Sequence, residues 1–222
     1  MGENRLQPLL KLCGNHSFED TKNTLSSNAD YLGFVFAKSK RQVRSTDILN
    51  WLSMIDKQEK KIVALFVNEP ASVIFDTISN LPIDIIQCHG NETSSELAEV
   101  KEITQLPVWK AIHHSEHALE VMRTYRGISD GYIIDCKVGS QWGGTGVSFD
   151  WTFIPHYLQE GREQGVPVFI AGGINPDNIE KVLAYQPDGI DVSSGIEENN
   201  QKSMKLIKQL EERMIRHGYT SR

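Results

Sequence analysis

Apolar runs of strand length alternate along this chain with amphipathic segments of helix length. Most of the apolar runs are nearly continuous in Val, Ile, Leu and Phe, which is typical of parallel strands covered on both faces. The predicted strands are Leu9–Cys13, Tyr31–Phe36, Ile62–Val67, Ile83–His89, Val108–Ile112, Gly131–Cys136, Val166–Ala171 and Ile190–Ser193. The predicted helices are Ser17–Ser27, Ser45–Lys57, Pro70–Asn80, Ser94–Gln105, Ser115–Tyr125, Asp150–Gln164, Pro176–Ala184 and Gln201–Arg216. Residues suited to begin a helix precede or open three of these segments, namely Ser45, Ser94 and Asn175 with Pro176.

Strict alternation of eight strands with eight helices predicts an α/β fold, a closed (β/α)8 TIM barrel. An open doubly wound sheet is the alternative, because alternation alone does not require the sheet to close. No Pro- or Ser-rich linker interrupts the pattern, so residues 1–222 are expected to form a single domain.

The amino-acid composition is consistent with the predicted fold and excludes some classes of partner. The chain has 222 residues, 39% of them hydrophobic, which fits an ordinary globular protein. Its formal net charge of −6 argues against a nucleic-acid partner, and no run approaches the roughly 20 apolar residues of a membrane span. Cys13, Cys88 and Cys136 show no C-x-x-C spacing, so a disulfide framework is not expected. A cytoplasmic protein without a membrane partner is the resulting prediction.

Candidate chemistry lies at the predicted carboxyl ends of the strands, where TIM barrels carry their active sites. Asp135 ends the sixth apolar run and is followed by a glycine-rich segment, whereas Cys13 ends the first run. One end therefore offers a potential acid and the other a potential base, which makes an isomerase the leading hypothesis. Either residue alone also fits a plainer role, Cys13 as a small core residue and Asp135 as a turn cap. His89 at the fourth strand end fits a pocket-wall donor or a core histidine equally well.

Glycines and hydroxyls cluster where barrels often bind phosphate, after the seventh and eighth strands. Glycine lets backbone N–H groups approach an anion, and hydroxyls add donors. The candidate phosphate-binding residues are Gly143, Gly144, Gly172, Gly173, Ser193, Ser194 and Gly195. Either glycine motif alone also fits an ordinary tight turn, but two motifs at these positions favour phosphate.

Side chains alternate between the barrel lumen and the helix layer along each strand. Cys88 and His89 are therefore predicted to face opposite sides, as are Asp135 and Cys136. This alternation argues against a zinc site built from the three cysteines and His89, so no metal is predicted. Asp191 lies inside the last predicted strand, where it serves either as a pocket carboxylate or as a partner of Lys11 or Lys110.

Seven motifs, in this order, resemble those of the phosphoribosylanthranilate isomerase family of tryptophan biosynthesis: KLCG, GFVFAKSKRQV, ALFVNE, IQCHGNE, IIDCKVGSQWGGTGVSFDW, IAGGINPDNI and DVSSGIE. The resemblance runs from about Lys11 to Glu197 and departs mildly at Asn15–His16, where His16 is expected to affect the pocket mouth. It implies the Amadori rearrangement of N-(5-phospho-β-D-ribosyl)anthranilate to 1-(2-carboxyphenylamino)-1-deoxy-D-ribulose 5-phosphate, the third step from chorismate to tryptophan. It further implies a phosphorylated small-molecule substrate, no cofactor, and a monomer or homodimer.

By the same resemblance, Cys13 falls on the family's general base, Asp135 on its general acid and Arg41 on the arginine that faces the anthranilate moiety. The base role would benefit from a positive field, which lowers the pKa of a thiol from its usual value near 8.5. Arg41 by itself also fits an ordinary solvated charge of a basic loop.

Other functions remain open at this stage. An indole-glycerol-phosphate synthase would use Lys and Glu as its acid–base pair, and a pentose-phosphate epimerase would hold a metal with His and Asp from several strand ends. For the epimerase only His89, Asp135 and Asp191 are available. A non-catalytic phosphate-binding barrel would keep the glycine motifs without the acid–base pair. Side activity on the related histidine-pathway ribotide is disfavoured by Cys13, since that isomerase usually uses two aspartates.

Overall fold

The computed structural model of the chain describes residues 7–135 and 151–220. These residues form a closed barrel of eight parallel strands, in which each strand pairs with the next in sequence and the eighth pairs with the first. The strands are β1 (Leu9–Cys13), β2 (Tyr31–Val35), β3 (Lys61–Phe66), β4 (Ile85–Cys88), β5 (Val108–His113), β6 (Gly131–Asp135), β7 (Val168–Ala171) and β8 (Gly189–Val192). The predicted TIM barrel is confirmed, and the open sheet is excluded by the β1–β8 pairing.

Eight α-helices of the described residues follow the strands in turn. They are α1 (Phe18–Leu25), α2 (Ser45–Met54), α3 (Ala71–Ile78), α4 (Ser94–Thr104), α5 (Ala118–Thr124), α6 (Ile154–Gln164), α7 (Ile179–Leu183) and α8 (Met204–Thr220). A short antiparallel pair, β9 (Glu197–Glu198) and β10 (Gln201–Lys202), lies between β8 and α8. Within the described residues, none of the helices combines the length and apolarity needed to cross a membrane.

Two apolar layers explain why the strands read as continuous hydrophobic runs. One face of each strand packs against the helices in the main core, which includes Cys88. The other face fills the lumen with a smaller cluster, in which the rings of Tyr31, Trp109 and Phe169 contact one another. Each strand therefore buries both faces, as expected for a parallel sheet.

Two of the three helix starts predicted from capping residues are confirmed, because α2 begins at Ser45 and α4 at Ser94, but neither serine caps its own helix. Thr93, one residue before Ser94, caps α4 in a capping box with Glu96. Ser45 is the first residue of α2, where its hydroxyl donates to the carbonyl of Thr77 on α3 instead of capping its own helix. At α4 the adjacent hydroxyl residues Thr93 and Ser94 make the cap ambiguous by one position, because either side chain has the oxygen that a cap needs. At α2 the preceding residue is Arg44, which makes no side-chain cap.

The predicted start of α7 is wrong, because this helix begins at Ile179 and not at Pro176. The Asn175 side-chain oxygen accepts hydrogen bonds from the backbone N–H groups of Asp177 and Asn178. Asn175 therefore closes a turn before the helix, which is a common use of asparagine.

Candidate active site

Cys13 lies at the carboxyl end of β1 and faces the lumen, with only 6% of its surface exposed. Its register partner on β2 is Gly33, and a Cβ added to Gly33 would lie 2.7 Å from the Cys13 sulfur. A side chain at position 33 would thus collide with the thiol. Glycine on the neighbouring strand leaves the space in which the sulfur lies.

A buried ion pair lies next to Cys13 in the lumen. Lys11, two residues earlier on β1, places its ammonium 3.0 Å from both carboxylate oxygens of Asp191 on β8. Lys11 is fully buried, and Asp191 is 8% exposed. Burial opposes the charge of Lys11, but Asp191 and Cys13 outweigh it and raise the pKa of Lys11. Of the partners considered for Asp191, Lys11 is the observed one; Lys110 instead pairs with Glu92 at 2.9 Å.

The environment of Cys13 favours the thiol over the thiolate. Burial raises the pKa of Cys13, and the charge of Asp191 raises it further, whereas the cationic Lys11 and Lys202 oppose both effects. The cationic field that a base would need is present, but it does not lower the pKa of Cys13 overall. Desolvation exceeds the attraction of the two ammonium groups because the sulfur lies beneath the surface.

Asp135 ends β6 on the opposite side of the barrel, and its side chain is 17% exposed. One of its carboxylate oxygens lies 3.7 Å from Nε2 of His89 and 3.7 Å from Nδ1 of His113. Here β5 continues one residue beyond the predicted end at Ile112, and His113 is the register partner of Asp135. Sequence reasoning missed His113; the histidine directly after an apolar run was the available signal.

His89 follows β4 immediately, and its two ring nitrogens have different neighbours. Nδ1 lies 3.0 Å from the side-chain amide of Gln87, two residues earlier on the same strand, and Nε2 faces Asp135. The His89 side chain is 22% exposed, which favours the pocket-wall interpretation over a core histidine.

Arg41 is 8% exposed and is not the solvated loop charge that its basic neighbours suggest. Its Nε and Nη2 atoms each donate to a carboxylate oxygen of Glu197 at 2.7 Å. The ammonium of Lys202 lies 2.8 Å from the same carboxylate and donates to the carbonyl of Ser193. Burial alone would raise the pKa of Glu197, but the two cations lower it to about 2. Glu197 and Lys202 were not predicted as site residues, since 156 residues separate Glu197 from Arg41.

Gly14, directly after Cys13, requires the conformation and the space that glycine provides. Its φ is +79°, and an added Cβ would lie 2.5 Å from Cδ of Arg41 and 3.1 Å from the hydroxyl of Ser193. The segment after β1 therefore contacts both the arginine and the turn after β8.

The two glycine motifs after β7 and β8 lie against each other. Gly172 and Gly173 have φ values of +94° and +71°, in the region that favours glycine. A Cβ added to Gly195 would overlap the carbonyl group of Ile174, so the β8 turn packs closely on the β7 turn. Ser194 and Gly173 are exposed at this position, whereas Ser193 is half-buried.

Some sequence-based candidates are not brought into the site. Gly143, Gly144 and Cys136 lie outside the described residues. Cys88 belongs to the core between barrel and helices, and burial raises its pKa to about 12. The zinc set of cysteines considered above is therefore not assembled, because Cys13 and Cys88 face different layers. His16 lies beside α1, with Nδ1 2.9 Å from a carboxylate oxygen of Asp20.

A parallel barrel with a thiol, a carboxylate and paired glycine turns at its carboxyl end defines a class, the TIM-barrel enzymes. Comparison with known proteins narrows this class. The family model of N-(5'-phosphoribosyl)anthranilate (PRA) isomerase matches residues 10–213. The chain belongs to this family, and it is an isomerase of tryptophan biosynthesis.

Individual relatives agree with this assignment. The N-(5'-phosphoribosyl)anthranilate isomerase of Halalkalibacterium halodurans is 55% identical over 210 residues, which cover 95% of this chain and 96% of the relative. The crystal structure of phosphoribosyl anthranilate isomerase from Thermotoga maritima matches with a TM-score of 0.82 and 30% identity, over 94% of this chain and 98% of that one. A phosphoribosyl anthranilate isomerase in complex with reduced 1-(o-carboxyphenylamino)-1-deoxyribulose 5-phosphate matches with a TM-score of 0.78 and 28% identity, over the same shares of the two chains.

Proposed function

We propose that this chain converts N-(5-phospho-β-D-ribosyl)anthranilate to 1-(2-carboxyphenylamino)-1-deoxy-D-ribulose 5-phosphate, with Cys13 as general base and Asp135 as general acid. The observation that carries this proposal is the position of the two groups. Both lie at the carboxyl end of the barrel on lumen-facing positions, Cys13 on β1 and Asp135 on β6. Two groups on different sides of one lumen reach different atoms of a substrate between them.

The proposed chemistry consists of two proton transfers. Asp135 donates a proton to the furanose ring oxygen, which breaks the bond between that oxygen and C1 and leaves a Schiff base at C1. Cys13 then removes the proton from C2, giving an enolamine that tautomerises to the ketone at C2. Each well-positioned transfer accelerates a reaction by roughly 10²–10⁴-fold.

Binding of the phosphate is assigned to the turns after β7 and β8. Gly172, Gly173 and Gly195 bring the backbone close to the ligand, and Ser193 and Ser194 supply hydroxyl donors. The predicted contribution of Gly143 and Gly144 stays a prediction. The product-like ligand of the related isomerase carries a 5-phosphate, which supports a phosphorylated substrate for this chain.

Arg41 is proposed to face the carboxylate-bearing ring of the substrate. Its bidentate pair with Glu197 fixes the plane of the guanidinium, and Lys202 supports that carboxylate from a second direction. His89 is assigned to the pocket wall beside Asp135.

The test follows the loss of substrate fluorescence when the purified chain meets phosphoribosylanthranilate generated in situ. Turnover is expected from the parent chain, with a loss of roughly 10²–10⁴-fold for both Cys13→Ser and Asp135→Asn. Cys88→Ser controls for removal of a buried thiol outside the lumen, and Asp177→Asn for removal of an exposed carboxylate. No turnover by a folded parent chain would refute the activity; full activity in both variants would refute the assigned base and acid.

Three further features stay predictions: a single domain over residues 1–222, a cytoplasmic location, and a monomer or homodimer without cofactor. Sedimentation of the purified chain distinguishes the two oligomeric states.

A further inference from the structure

Two histidines and one aspartate from neighbouring strands converge at the carboxyl end of the barrel. His89 follows β4, His113 ends β5 and Asp135 ends β6, and one potential ligand atom of each lies within 4.8 Å of the others. Among the described residues this is the group whose side chains could hold a metal ion. Two imidazoles and a carboxylate form a donor set that suits zinc and other first-row divalent ions, as in catalytic sites with three protein ligands and an open position.

The distances lie close to those that an ion requires. Ligand atoms about 2.0–2.1 Å from a tetrahedral ion are about 3.4 Å apart. In the structure, the Asp135 oxygen lies 3.7 Å from Nε2 of His89 and 3.7 Å from Nδ1 of His113. A closure of about 0.3 Å for these two pairs, together with an approach of the two imidazole nitrogens, which lie within 4.8 Å of each other, to about 3.4 Å would give ligand geometry. Small side-chain rotations supply it, because the His113 side chain is 60% exposed.

Gln87 provides the outer hydrogen bond that orients a metal-binding histidine. Its amide lies 3.0 Å from Nδ1 of His89, and its Oε1 atom is buried without a hydrogen-bond partner among the described residues. The nitrogen and oxygen of an amide exchange places by a half-turn of the group. After that turn, Oε1 accepts a hydrogen bond from Nδ1–H, and the lone pair of Nε2 points toward Asp135. Such an outer partner fixes the tautomer of a ligating histidine.

We propose that His89, His113 and Asp135 bind a divalent transition-metal ion of the zinc class, and that the bound ion inhibits isomerisation. Inhibition follows because the ion occupies the carboxylate that must carry the proton for the sugar oxygen. The binding half of the proposal stands on the side-chain cluster alone, whereas the inhibition half rests on the proposed function. The His113 side chain is 60% exposed, so an ion reaches this ligand from solvent.

The binding test titrates Co²⁺ into the untagged chain without substrate and follows its visible ligand-field absorption. The parent chain is expected to bind one equivalent that Zn²⁺ displaces, and His113→Asn and His89→Asn are expected to bind at least tenfold more weakly. His117→Asn is the matched control, because His117 is an exposed histidine that contacts only surface carboxylates, Glu116 and Glu120, in its ion pairs. Unchanged binding in His113→Asn, or binding lost in His117→Asn, would overturn the site.

Cys13 is an alternative ligand for the ion in the lumen, and the absorption spectrum of bound cobalt shows whether the thiol coordinates it. A cobalt–thiolate bond adds a near-ultraviolet charge-transfer band, which we expect to be absent. Binding is expected to persist in Cys13→Ser; its loss there, together with that band in the parent, would move the ion to the thiol and overturn the proposal.

The inhibition test measures initial rates in buffered Zn²⁺, each variant relative to its own rate with EDTA. His113→Asn is expected to need at least tenfold more Zn²⁺ for half-inhibition than the parent or His117→Asn, and equal sensitivity would refute inhibition through this site. Cobalt binding by a parent chain that turns over no phosphoribosylanthranilate would leave the site intact and refute the proposed function instead. Turnover of phosphoribosylanthranilate by a parent chain that binds no cobalt would refute the metal site and leave the proposed function intact.

Discussion

The two sides of the barrel mouth hold their ionisable groups in different environments, one buried among fixed charges and the other partly exposed. On the β1–β8 side, Cys13 is buried beside the Lys11–Asp191 ion pair, whose charged atoms are within 3.0 Å of each other. On the β4–β6 side, the Asp135 carboxylate is 17% exposed and has imidazole nitrogens 3.7 Å away. The comparison teaches that the proposed base is held by fixed charges away from water, whereas the proposed acid is more accessible and lies beside two histidines.

The fixed charges matter most for stability. Asp191→Asn removes the partner of the buried Lys11 ammonium, and loss of one partner of a buried pair costs about 3–5 kcal/mol. The free energy of unfolding measured in urea should fall by that amount. Asp47→Asn breaks the exposed Arg44–Asp47 pair and should lower the unfolding free energy far less, because water screens that pair. Equal losses in the two variants would contradict the contrast between buried and exposed charge.

Low pH should lower the free energy of unfolding, because protonation of Glu197 removes its ion pairs on the β8 side of the barrel. Its folded-state pKa of about 2 lies below the ordinary glutamate value of about 4.3, so its contribution is complete above that value and is lost as the pH falls from about 4.3 to 2. The full contribution is about 3 kcal/mol, from roughly 1.4 kcal/mol per pKa unit. Unfolding free energies measured at pH 5 and pH 3 should therefore differ less for Glu197→Gln than for the parent chain. The neighbouring Glu198→Gln, an exposed change, should keep the parent's dependence on pH.

Alanine substitutions at two glycines, one beside Arg41 and one in open space, isolate the contact between Arg41 and the segment after β1. Gly14 and Gly127 have nearly equal φ values, +79° and +77°, but an added Cβ meets Arg41 only at Gly14 and nothing within 4 Å at Gly127. Gly127→Ala should cost about 1 kcal/mol for backbone strain, and Gly14→Ala should cost about 1–3 kcal/mol more for overpacking. Thermal unfolding of both variants measures the difference, and Gly14→Ala alone should also weaken substrate binding. Equal destabilisation would mean that Arg41 moves aside freely.

The local sequence pattern was sufficient to predict the strands and to identify several residues of the candidate site. All eight strands were predicted from their apolar runs, with ends that differ by at most two residues, because both faces of each strand are buried. Alternation along the strands correctly placed Cys88 and His89 on opposite sides, and Lys11 was one of the two partners considered for Asp191. These features depend on neighbours within a strand or on the fixed order of strands in a barrel.

Features that depend on distant partners were not predictable. The pairing of Arg41 with Glu197 joins the segment after β2 to the segment after β8, and no local signal links the two. His113 joins the site because β5 extends by one residue to pair with Asp135. The net direction of the Cys13 pKa shift required the depth of the sulfur beneath the surface, which a sequence does not give.

The pH dependence of kcat/KM for phosphoribosylanthranilate tests the contrast between the two sides most directly. Burial raises the pKa of Cys13 above the ordinary thiol value of about 8.5, and a general base acts only when deprotonated. The parent profile also depends on protonation of Asp135, so the ionisation of the base is read in Asp135→Asn, where no acid titrates at that position. The account predicts that the residual kcat/KM of this variant rises about tenfold per pH unit through neutral pH toward a plateau above that value. Asp191→Asn should move the midpoint to lower pH, because the negative charge of Asp191 contributes to the raised pKa of Cys13. A midpoint near 6.5, the ordinary imidazole value, that is unchanged in Asp191→Asn would contradict the account and assign the base to a histidine of the β4–β6 side.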